Sequence, residues 1–148
     1  MIDSINCAAG TLTPFEPSAA APWNKARLMH LYRRLGFGAT PADIAEGLRM
    51  APADLVAHLL DAARETPLPA APPWADWTLS DYDDFGVQQR EQFVAWGLQW
   101  VSEMAAGSIR EKLALFWHNH FVTRFQVYLC PSHLYRYHVL LQTDRKSV

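Results

Sequence analysis

The sequence predicts an all-α fold, a bundle-like array of about six helices interrupted by a proline-rich connector. Three observations carry that expectation. Apolar residues recur at spacings of three and four through most of the chain from Trp23 onward, the period of a helix rather than of a strand. Residue types that open and close helices stand at the ends of those periodic runs. Pro67, Pro69, Pro72 and Pro73 gather between Glu65 and Pro73, where they exclude a regular helix and favour a stiff, extended link.

Residues 1–22 mix Pro14, Pro17 and Pro22 with Ser, Thr and a run of alanines, have no period, and read as a flexible arm. Residues 23–64 form an N-terminal helical group. Asn24 suits the cap of a helix on which Leu28, Leu31, Tyr32 and Leu35 share a face, with Gly36 at its left-handed end. Arg27, His30, Arg33 and Arg34 lie on its other sides; a solvated face is favoured over an anion-binding edge. Thr40, Pro41 and Asp43 supply a cap, a first-turn proline and an acidic third position for a second helix, and Pro52 starts a third through Leu55, Val56, Leu59 and Ala62.

Residues 65–86 are the connector, proline-rich and then aromatic and acidic. Asp81, Asp83 and Gly86 invite comparison with a calcium loop, but Gln92 stands where the bidentate glutamate belongs, so an EF-hand is rejected. Helix capping explains the aspartates, with the tryptophans clamped on the helical body. Residues 87–142 then read as a helical hairpin and a final partial helix. In the first arm Phe93, Trp96, Gly97, Trp100, Val101 and Met104 share a face, and Gly97 suggests close approach of another backbone. Gly107 and Ser108 restart the chain, Ser108 and Glu111 forming a capping box. On the second arm Ile109, Leu113, Phe116, Trp117, His120 and Phe121 form the expected buried face, with Arg110 at its edge. The run from Arg124 to Cys130 is ambiguous and could be strand-like, and Pro131 and Ser132 open a helix with Leu134, Tyr137, His138 and Leu141 on one side.

Half of the 148 residues are apolar and 19% charged, which favours a globular chain, and a net charge of −2 with no basic stripe removes the general electrostatic reason to bind nucleic acid. No stretch approaches the ~20 apolar residues of a membrane-spanning helix, and no signal peptide is recognisable, which leaves the cytoplasm as the default location. Cys7 and Cys130 stand far apart, so no disulfide framework is expected.

Two motifs carry a resemblance. Arg34, Gly36, Phe37, Gly38, Thr40 and Pro41 form one; Arg110, Glu111 and Lys112 followed by Phe116, Trp117, His118, Asn119, His120 and Phe121 form the other. Together they resemble the bacterial family catalogued as domain of unknown function 1800, over roughly Lys25 to Gln142. The resemblance implies the N-terminal portion of a longer protein and supplies no activity. Residues 143–148 depart from the family pattern, so a truncated fragment is expected, incomplete relative to the family.

His118 and His120 on one helix diverge by about 200° and cannot chelate one ion together. His120 is favoured as a core histidine over a ligand. The metal reading requires His120 and His138 to converge from two helices, with His118 a further candidate and other ligands supplied downstream. Arg110 is a candidate salt-bridge or anion-binding residue, and Ser108, Glu111 and Thr40 are candidate structural caps. Cofactor identity is open, a metal being the one candidate. No nucleophile elbow, phosphate loop or dinucleotide fingerprint is present. Two functions follow: a structural or interaction portion whose partner is the remainder of a longer polypeptide or another protein, and the N-terminal part of a metal-dependent enzyme completed by downstream residues.

Overall fold

A computed structural model describes residues 13–107, 109–121, 127 and 129–143. Six α-helices follow one another among the described residues: α1 (Lys25–Leu35), α2 (Pro41–Gly47), α3 (Pro52–Glu65), α4 (Phe85–Ala105), α5 (Ile109–His120) and α6 (Pro131–Thr143), with a 3-10 turn at Leu79–Asp81. The described residues contain no strand. Ser108, most of the run from Arg124 to Cys130 and the tail after Thr143 lie outside the described residues.

The helix starts follow from capping chemistry. Asn24 accepts from the Arg27 backbone N–H, and Asp84 accepts from that of Val87, each relieving a donor without an intrahelical partner. Thr40 and Asp43 form a reciprocal box around the start of α2, with Pro41 in the first turn. Thr40→Ala is expected to cost about 1 kcal/mol, measured as a lower urea midpoint, because the Asp43 N–H then loses its acceptor.

Two glycines depart from the sequence expectation, Gly36 at the end of α1 and Gly97 inside α4. Gly36 is extended, φ −148°, not left-handed. A Cβ there would stand 3.0 Å from the Gly107 carbonyl oxygen, so glycine is needed for backbone approach. Gly107 itself has φ +85°, the conformation that turns α4 into α5. Gly97 meets no other backbone; a Cβ there would have nothing within 4 Å.

Leu28 and Leu55, both fully buried, close over Gly47 and tie the first three helices together. A second cluster joins Ala75 of the connector, Trp96 of α4, and Leu134 and Tyr135 of α6. Trp74 packs edge-on against Tyr135 at 5.8 Å, and the Ser132 hydroxyl donates to the Trp77 carbonyl at 2.6 Å, so the aromatic part of the connector is clamped on the helical body. Against this frame α6 packs on both α4 and α5, and α5 also meets α3.

Candidate functional site

Helix α5 turns a face inward that its hydrophobicity does not advertise. Leu113, Phe116 and Phe121, expected in the core, are 45%, 53% and 54% exposed, whereas Arg110, Glu111 and Ala114 are buried. The physical reason is pairing. Arg110 Nε donates to Glu111 Oε1 at 3.0 Å, and its Nη1 donates to the carbonyls of Thr66 at 2.9 Å and Pro67 at 3.2 Å. The amide of Gln142 donates to both oxygens of Glu111, at 2.9 and 3.1 Å. Two opposite charges satisfied in this way can be buried where either alone could not. Glu111 thus spends its carboxylate in the core on Arg110 and Gln142, a role its expected place in a capping box does not describe.

One turn and three residues further along α5, His118 lies on the same inward side. Its Nε2 is 3.1 Å from Nδ1 of His138 on α6, and the two rings stack with centroids 5.3 Å apart. Trp100 of α4 lies against both imidazoles, at 4.7 and 4.6 Å. His120 stands apart from this pair, exposed on the outer face, stacked on Phe116 at 5.8 Å. The structure therefore brings His118 and His138 together and leaves His120 outside.

His138 is 2% exposed, and burial first, then the neighbouring His118 and Arg110 charges, depress its pKa to about 3. His118 is depressed in the same direction by burial. Both rings are neutral near pH 7. The 3.9 Å approach of His138 Nε2 to Glu111 Oε2 is accordingly a contact between a neutral ring and a carboxylate, not an ion pair. That Nε2 is buried without a hydrogen-bond partner.

Glu103 of α4 completes the cluster. It accepts from Gln99 at 2.9 Å, and burial, the largest cause, raises its carboxyl pKa. One donor atom each from Glu103, Glu111 and His138 all lie within 4.8 Å of one another. A void of about 10 Å³ bordered by Trp96, Glu103, Tyr135, His138 and Gln142 adjoins them. A much larger cavity, about 650 Å³, lies elsewhere, between Phe15, Trp23, α1 and α3; it is lined mainly by apolar side chains and holds no carboxylate.

Glu103 and Gln142 were missed by sequence reasoning. The available signal was the series Gln92, Trp96, Gln99 and Glu103 on α4, whose spacings of four, three and four mark a polar and aromatic stripe at the helical period.

Residues 30–144 match the family described as Protein of unknown function (DUF1800), a span that includes every side chain of this cluster. The chain belongs to this family. Comparison with curated proteins and with solved structures gives no match. Membership in DUF1800 assigns no activity. No helix among the described residues of this DUF1800 chain is long and apolar enough to cross a membrane.

Proposed function

We propose that this chain is a non-catalytic, helical interaction portion that docks a further helix, supplied by the remainder of a longer polypeptide or by a partner protein. The observation that carries the reading is an exposed apolar seam on α4. Val87, Val94, Leu98 and Val101 are 53%, 53%, 68% and 59% exposed. They recur at seven, four and three residues, so at about 100° per residue they fall within one narrow stripe of the kind a partner helix covers.

The test is association in solution. The chain alone is expected to be helical, to run as an oligomer in light scattering and to melt with poor cooperativity. Leu98→Glu is expected to shift it toward monomer with its circular dichroism unchanged, because an exposed substitution costs within about 0.5 kcal/mol of stability. A clean wild-type monomer with a sharp two-state melt sinks this reading.

A second reading, part of a metal-dependent enzyme, is supported by the approach of His118 to His138. On this reading His120, outside that pair, contributes nothing to the metal, and any reacting groups come from elsewhere in the protein.

A further inference from the structure

Glu103, Glu111 and His138 arrive from three different helices with one donor atom each within 4.8 Å of the others, and Glu103 and His138 border the small void between the connector, α4 and α6. We propose that these three side chains bind one divalent transition-metal ion of the zinc(II) type, through the Glu103 carboxylate, Glu111 Oε2 and His138 Nε2. His118 is a positioning residue in this site, not a ligand. The inference rests on the metal-binding part of the second reading above, and neither on catalysis nor on the docking seam.

The first support is the state of His138 Nε2, buried with no hydrogen-bond partner. Its ring is anchored at the other nitrogen by His118. If Nδ1 carries the proton and donates to His118 Nε2, the lone pair of Nε2 faces a carboxylate oxygen 3.9 Å away. Two electron-rich atoms facing each other across a buried gap repel; a cation between them reverses the sign. An imidazole ligand held at its second nitrogen by a neighbouring acceptor is the arrangement that metal-bound histidines use.

The second support is size. Two metal–ligand bonds of ~2.1 Å span at most ~4.2 Å, so the 3.9 Å separation of His138 Nε2 and Glu111 Oε2 accepts an ion at an open angle. With the three atoms within 4.8 Å of one another, a tetrahedral set, whose ligands stand ~3.4 Å apart, requires Glu103 to move in by up to about 1.4 Å. Glu103 is half-buried and borders the void, so it has room to do so. Facing carboxylates and histidines on packed helices are a recurring way to build such a site.

Donor chemistry selects the ion. One imidazole with two carboxylates suits zinc, iron or manganese rather than calcium or magnesium, which prefer oxygen alone. Two carboxylates bring two negative charges, and Arg110 returns one positive charge through its bond to Glu111 Oε1, while Oε2 accepts the longer, 3.1 Å bond from Gln142 and keeps a second lone pair for the ion. Arg110 therefore tempers affinity without blocking the site.

The experiment strips the full chain with a chelator, dialyses it against zinc(II) and measures bound metal by atomic absorption, with circular dichroism confirming helix content. One zinc per chain is expected, bound at least ~10-fold more weakly in Glu103→Gln and in His138→Gln, and unchanged in His120→Ala. Cobalt(II) in its place should give a visible spectrum that is altered in both ligand variants. If His138→Gln fails to fold, Glu103→Gln, near the surface, decides alone. Zinc bound with undiminished affinity by a helical Glu103→Gln overturns this site and leaves metal binding at other residues standing; no zinc on helical wild type overturns both.

Discussion

Arg110→Ala is expected to lower the unfolding free energy by about 3–5 kcal/mol, the cost of stripping one partner from a buried ion pair. Domains of this size are stable by only about 5–15 kcal/mol, so the variant should be largely unfolded in mild urea. The side chain is 6% exposed and Glu111 is 1% exposed, so water cannot take over the lost interactions. Without the guanidinium, Glu111 is left to the Gln142 amide as its hydrogen-bond donor across helices, and the carbonyls of Thr66 and Pro67 lose the donor that fastens the end of α3 to α5. Introducing Glu111→Gln into the Arg110→Ala background should recover part of the loss, since a neutral amide is far less costly to bury than an unpaired carboxylate. Replacing both residues by apolar ones of similar volume, Arg110→Met with Glu111→Leu, should come closer still to wild type. Urea titrations followed by circular dichroism measure all four chains. A loss below about 1 kcal/mol in Arg110→Ala would mean that the pair is solvated in the folded protein.

The elements of the fold were legible where local chemistry decides them. Asn24, Thr40 and the acidic run ending at Asp84 marked helix starts because a cap needs only a short side-chain oxygen beside free N–H groups. The proline cluster marked the connector because a missing N–H is local too. Which way α5 faces is a different kind of question. Its apolar residues Leu113, Phe116 and Phe121 pointed to one face, yet a different face is buried, because Arg110, Glu111, Gln142 and the histidine pair satisfy one another across helices. Hydrophobic periodicity counts transfer preferences residue by residue, whereas burial of charge depends on a partner 31 positions away in the case of Gln142 and Glu111. The same reason put His138 within reach of the sequence, on an apolar side of its helix, and hid Glu103, whose significance appears only when α4 and α6 are packed together.

The His138 environment makes the metal-free protein acid-labile through a route separate from its carboxylates. An unfolded histidine titrates near 6.5, while the folded ring titrates at about 3. Between those values the unfolded chain holds a proton that the folded chain does not, so stability is full above the unfolded pKa and falls as pH drops toward the folded one. The slope is about 1.4 kcal/mol per pH unit, and the whole window is worth ~5 kcal/mol. Among the groups around the ring, His118 is also depressed by burial and adds loss of the same sign. Arg110 repels the protonated ring from α5, whereas Glu111 on the same helix is already hydrogen-bonded to Arg110 and Gln142. Glu103 on α4 works the other way: its raised carboxyl pKa means that the folded state takes up a proton first, which stabilises it as the pH falls. The cleanest reading is therefore the first unit or two below about pH 6.5, before carboxylates titrate. Urea midpoints of chelator-treated protein should fall across that range, and His138→Leu should remove most of the slope even if it lowers stability at neutral pH, because the slope counts protons and not contacts. Stability that stays level from about pH 6.5 to about pH 5 in the wild type would show that the ring takes up its proton in the folded state, with Glu111 drawn in as its counter-charge across the 3.9 Å gap.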